Sequence, residues 1–141
     1  MPTTRTASTH WEGTLFEGAG KVTLESSGIG TYDVSWPARA EEPNGKTSPE
    51  ELIAAAHASC FSMAFSARLA KNETPPERLE TSAVVTFVPG TGITGVELSV
   101  TGKVPGITAE QFEEAAQTAK EACPVSQALK AVPITLDAAL A

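Results

Sequence analysis

Residues 47–71, TSPEELIAAAHASCFSMAFSARLAK, constrain the fold more than any other stretch. Ser48 has the chemistry of an N-cap, and Pro49 suits the first helical turn. Glu51 stands where a capping box needs its acid. Leu52, Ile53, Ala54, Ala55, Ala56, Ala58, Phe61, Met63, Ala64 and Phe65 then spread apolar surface over almost every side of the helical wheel. A soluble helix that is apolar all round is buried inside something larger. Such a helix is ~35 Å long at 1.5 Å per residue, more than a chain of 141 residues covers by itself. A dimer that wraps two such helices between sheets resolves the mismatch. His57, Ser59, Ser62, Ser66 and Arg68 interrupt the run, so it does not read as a membrane span.

The flanking segments read as strands and turns. TLFEG, KVTLES and residues 31–36 are separated by Gly18, Gly20, Gly28 and Gly30, the pattern of an antiparallel meander. Residues 37–47, PARAEEPNGKT, read as a polar loop that carries Arg39. After Pro75-Pro76, strands are expected over 81–88 and 92–104, joined by a Pro-Gly-Thr-Gly turn. Thr108 and Gln111 form a second capping box, with Phe112, Ala115, Ala116 and Ala119 on one face of the helix they start. That helix should stop near Ala122, because the next residue precedes Pro124. Pro124 then opens a short helix with Cys123 as its N-cap, and PITLDAAL is a closing strand.

Strand runs broken by helices indicate an α+β fold with antiparallel sheets wrapped around long buried central helices. Residues 1–141 read as a single domain, with 1–9 as a flexible tail. The net charge of −7 argues against nucleic acid and anionic membrane as partners. The N-terminus has no apolar signal-peptide core, so the expected location is the cytoplasm.

Cys60 and Cys123 are the chain's two cysteines. A cysteine on an apolar helix is most often a small core residue, whereas one at a helix N-terminus meets N–H groups that favour the thiolate. The two are therefore either packing residues or a peroxidatic and resolving pair, in which a sulfenic acid on one condenses with the other. A peroxidatic thiol needs a positive neighbour, and Arg39 has the planar fork to pair with a carboxylate and face a sulfur. Its alternative is a solvated loop arginine. Glu50 lies about 80° from Cys60 on the wheel and Glu51 on the opposite face, at ~100° per residue. Glu50 is thus the better site candidate, yet the helix rise holds it ~15 Å from Cys60. If it serves that thiol, it does so from a second chain; otherwise it is an acid at a helix N-terminus. His57 reads as a hydrogen-bonded core residue and His10 as structural. No metal-ligand spacing, phosphate loop or serine nucleophile elbow is present, so no metal or cofactor is expected.

SPEELIAAAHASCFSMAFS and ITAEQFEEAAQTAKEACPVSQAL resemble the two cysteine motifs of the OsmC/Ohr family, the osmotically inducible and organic hydroperoxide resistance proteins. HWEGTLFEGAGKVTLESSG and ITLDAAL also fit, so the likeness runs from about residue 10 to 140. The resemblance implies a single OsmC-like domain in an intertwined homodimer, with two sites at the interface. It implies a thiol peroxidase that reduces organic hydroperoxides, and hydrogen peroxide less well. By position, Cys60 is peroxidatic, Cys123 is resolving, and Glu50 orients Arg39. The reductant implied is an external dithiol of the dihydrolipoamide type. An arginine at 39, with Gly18 where the Ohr branch carries its own, is the OsmC pattern. Two other classes remain beside it: a redox-responsive sensor without turnover, and a structural stress protein whose cysteines only pack.

Overall fold

The computed structural model describes residues 1–141, and the chain divides into two compact units, Met1–Leu52 and Ile53–Ala141. In the first, β1 (Ser8–Glu12), β2 (Ala19–Thr23) and β3 (Thr31–Val34) form the expected antiparallel meander in the order β1-β2-β3. The first strand starts earlier than the sequence suggested, inside the stretch expected to fray, and TLFEG is the turn after it. Gly18 closes that turn. A Cβ there would collide with the carbonyl oxygens of Thr14 and Glu12, so no larger residue fits.

Residues 36–40 are not loop. They form a short helix, α1 (Trp36–Ala40), whose N-cap Ser35 accepts a hydrogen bond from the Ala38 amide at 3.3 Å, with a proline in its first turn. Arg39 lies in its last turn. The chain then turns at Asn44 and Gly45, both with positive φ, and Thr47 bridges to Val34 beside β3.

The long helix α2 (Pro49–Lys71) has the expected bounds. Ser48 Oγ accepts from the Glu51 amide at 3.1 Å, as the cap requires. The Glu51 carboxylate does not close the reciprocal half of a capping box; it accepts from Thr47 Oγ1 at 2.6 Å. Nor is α2 buried all round within this chain. His57, Phe61, Phe65 and Leu69, one turn apart, are fully buried, while Ala55, Ala56, Ser59, Met63, Ala67 and Ala70 are exposed. By length and composition α2 could cross a membrane, but its phenylalanine stripe lies in a packed core.

In the second unit β4 (Arg78–Val88) and β5 (Gly92–Lys103) form an antiparallel hairpin. One face of this sheet is covered and the other solvated, so residues alternate, with Val96, Leu98 and Val100 inward and Glu97, Ser99 and Thr101 outward. The helix α3 (Ala109–Ala122) carries the complete capping box of Thr108 and Gln111 and buries Phe112, Ala115, Ala116 and Ala119. It is followed by α4 (Pro124–Ala128) and β6 (Ile134–Leu140).

β6 pairs with β5 in parallel, giving the order β4-β5-β6 and correcting the expectation of purely antiparallel sheets. The cause is the connection: α3 and α4 carry the chain back along the sheet, as in any strand–helix–strand crossover. The core of this unit joins α2, β5 and α3. Phe65 packs on Phe61 and Phe112, with ring centroids 5.6 and 5.0 Å apart. Gly102 of β5 leaves room for this packing. A Cβ there would lie 2.8 Å from Leu79 Cδ2 and 2.9 Å from Phe112 Cε2.

Candidate active site

The structure gathers the sequence candidates into two pairs. The first pair is held by α1 and the start of α2. Arg39 Nε donates to both Glu50 oxygens at 3.0 and 3.2 Å, and Nη2 donates to Oε2 at 2.9 Å. Glu50 is buried and Arg39 half-buried. A two-armed guanidinium–carboxylate contact fixes the plane and direction of the arginine, not only its charge. Arg39 borders a largely apolar cavity of about 380 Å³, whose walls include Trp11, Leu15, Val34, Trp36 and Leu52.

The second pair is Cys60 of α2 and Cys123, which joins α3 to α4. Both are free thiols; Cys60 is partly exposed and Cys123 fully buried. They interact directly, and they titrate in opposite senses. Burial pushes the Cys60 thiol up; the Val125 amide opposes this, and the Cys123 thiol adds to it. Burial also acts upward on Cys123 but is outweighed by the Ser126 amide, the Cys60 thiol, the Ser126 hydroxyl and the Val125 amide, so its net shift is downward. Cys123 is the N-cap residue of α4, as expected.

Of the two histidines, His10 is exposed and pairs with Glu12 at 3.4 Å. His57 is fully buried, and its Nε2 lies 2.7 Å from Ser126 Oγ. The sequence marked His57 as a hydrogen-bonded core residue but did not single out Ser126. The available signal was its place three residues after the N-cap Cys123, in the first turn of α4.

Two adjacent thiols with unlike proton affinities can cycle between a dithiol and a disulfide. Residues 42–137 match the family profile described as OsmC-like protein. The chain is 44% identical over 131 residues to peroxiredoxin OsmC of Escherichia coli K12, covering 91% of this chain and 90% of that one. This chain belongs to the OsmC-like family. Organic hydroperoxide resistance protein OhrA of Bacillus subtilis is 32% identical to it over 125 residues, covering 85% of this chain and 87% of that relative. Among solved structures, an OsmC-like protein of Vibrio cholerae superposes with a TM-score of 0.76 at 20% identity, covering 97% of this chain and 99% of that one. An organic hydroperoxide resistance protein OsmC of Legionella pneumophila gives 0.74 at 24% identity, covering 97% of each chain. These superpositions establish the fold: α+β, with two small sheets and a long central helix.

Proposed function

We propose that this chain is a thiol peroxidase of oxidative stress defence that reduces organic hydroperoxides, and hydrogen peroxide less well, with Cys60 as the attacking and Cys123 as the resolving thiol. The Cys60 thiolate attacks the O–O bond of ROOH. The O–O bond breaks, Cys60 becomes a sulfenic acid, and ROH leaves with a proton. Cys123 then attacks the Cys60 sulfur and hydroxide departs, leaving as water with the thiol proton. An external dithiol, of the dihydrolipoamide type, reduces the resulting disulfide. In sum, ROOH and a dithiol become ROH, water and a cyclic disulfide.

The observation that carries this reading is a partly exposed thiol on α2, open to a hydroperoxide, beside a fully buried second thiol. Burial outweighs the Val125 amide and raises the Cys60 pKa, so a cation is needed to ionise it. The oriented guanidinium of Arg39, paired with Glu50, is the natural source. Glu50 and Cys60 share one helix whose rise separates them by ~15 Å, so the proposed enzyme is an intertwined homodimer, and each site combines Cys60 and Cys123 of one copy with Arg39 and Glu50 of the other. The exposed apolar side chains of Phe16 (68%), Ile29 (71%) and Met63 (73%), with the alanine face of α2, support a second copy as their cover.

The test is to mix reduced protein with cumene hydroperoxide and an excess of dithiol and follow alcohol formation. The expected result is multiple turnovers that vanish in Cys60→Ser. Stoichiometric thiol loss without turnover at any dithiol concentration would favour a sensor, and inert thiols would end both redox readings. In Cys123→Ala the expected outcome is one turnover followed by arrest or overoxidation of Cys60.

A further inference from the structure

The two thiols form one rung of a contact between α2 and α4, and a second rung lies beside it. His57 and Cys60 are spaced by three on α2 and share a helix face, while Cys123 is the N-cap of α4 and Ser126 the third residue of that helix. Across the contact Cys60 meets Cys123, and His57 meets Ser126 with Nε2 to Oγ at 2.7 Å. Both members of the second rung are buried, and neither takes part in the chemistry assigned above.

The direction of this hydrogen bond follows from what is missing around the ring. His57 Nδ1 is buried without a partner. Burial is the influence on this histidine, and it pushes the pKa down, so the ring is neutral at pH 7. A neutral ring carries one proton. A buried orphan N–H is rarer and more costly than an under-used acceptor, so that proton belongs on Nε2, where Ser126 Oγ accepts it. The Ser126 hydroxyl hydrogen is then free to point elsewhere, and Ser126, three residues after the α4 N-cap Cys123, is among the groups that push the Cys123 pKa down. With the opposite tautomer, Ser126 would donate to the ring and have no hydrogen left for the sulfur.

We propose that His57 and Ser126 form a directed hydrogen-bond chain, Nε2–H to Oγ–H to sulfur, that positions Cys123 for attack on the oxidised Cys60. Both are positioning residues of the disulfide-forming step, and this assignment rests on the thiol peroxidase reading. Ser126 keeps its own proton throughout. The S–O bond of the Cys60 sulfenic acid breaks, the S–S bond forms, and the Cys123 proton leaves with the hydroxide as water. The hydroxyl stabilises charge on the attacking sulfur and holds it on line.

The test separates the two half-reactions in a single turnover of the reduced full-length protein with one equivalent of cumene hydroperoxide. Cumyl alcohol reports the first step, and quenching with dimedone at timed intervals reports how long the sulfenic acid survives. In Ser126→Ala, alcohol release is expected to persist while disulfide closure slows about tenfold or more, as the loss of a hydrogen bond to a charged sulfur implies. The pH midpoint of closure is expected to move upward. His57→Gln, whose amide N–H can stand in for Nε2–H, is expected to retain most of the closure rate, and His57→Leu to lose it. Because Ser126→Ala leaves a buried N–H unpaired, the double variant His57→Leu/Ser126→Ala removes both polar groups together and should close as slowly as Ser126→Ala.

Unchanged closure in folded Ser126→Ala or in the double variant would overturn the proposal. So would a wild-type ¹⁵N spectrum placing the His57 proton on Nδ1, a measurement that needs no variant. Failure of the underlying reading looks different: wild-type protein would then release no alcohol.

Discussion

At the scale of single residues, the chemistry turns on where protons and charges lie. The proposed role of Arg39 predicts that Arg39→Ala raises the pH at which Cys60 becomes reactive, because a cation beside a thiol favours its thiolate. The check is the pH profile of alkylation in a Cys123→Ser background. An unshifted profile would remove Arg39 from the mechanism. His57 makes a separate prediction about stability. Its pKa is lowered from 6.5 by burial, so below that pH the unfolded chain binds a proton that the folded one does not. Stability is then complete above about 6.5 and falls as the pH drops toward the native value. Melting temperatures between pH 7 and pH 5 should therefore decline less in His57→Gln than in the parent. Equal declines would mean that His57 does not contribute to acid sensitivity.

At the scale of elements, α2 has two faces with different fates. The buried stripe of His57, Phe61, Phe65 and Leu69 ties it to β5 and α3. Phe65 touches aromatic rings on two elements, so Phe65→Ala should cost about 3–5 kcal/mol in urea unfolding. Gly102→Ala tests the same packing from the sheet side. Its added methyl meets Leu79 and Phe112 inside normal contact distance, which predicts a loss of about 1–3 kcal/mol. If either variant lost less than half a kilocalorie, the Phe65–Phe112–Gly102 contact would not be the tight joint described above. Both cysteines gain their setting from such joints. Cys60 is partly buried and packs against the core beside the stripe, and Cys123 occupies the break between α3 and α4 that Pro124 enforces.

At the scale of the whole molecule, the proposal divides each site between two copies, and this can be tested by complementation. Arg39→Ala lacks the cation and Cys60→Ser lacks the thiol. A heterodimer of the two has one site with Arg39 from one copy and Cys60 from the other. Unfolding and refolding an equal mixture should restore about a quarter of parental peroxidase activity, since half the dimers are mixed and each has one complete site. No restoration, with subunit exchange verified by mass, would place Arg39 and Cys60 of the same copy together. Met63→Glu, on the exposed face of α2, should shift sedimentation toward monomer and lower turnover with it. A variant that remains fully dimeric and active would show that this face is not the interface.

What the sequence determined by itself is mostly what local physics decides. The cap of α2 at Ser48, the full capping box of Thr108 and Gln111, and the stop before Pro124 each depend on residues within a turn of one another. The helix α1 was legible on the same terms, since Ser35 before Trp36-Pro37 is a helix start, but the neighbouring polar residues read as loop. Tertiary structure decided the rest. The direction of β6 follows from the path of α3 and α4 over the sheet, which no strand pattern records. The exposed alanine face of α2 could not be told from a buried one, because small apolar residues suit either setting. The pairing of His57 with Ser126 joins residues 69 positions apart, and only packing one helix on another brings such groups within hydrogen-bonding distance.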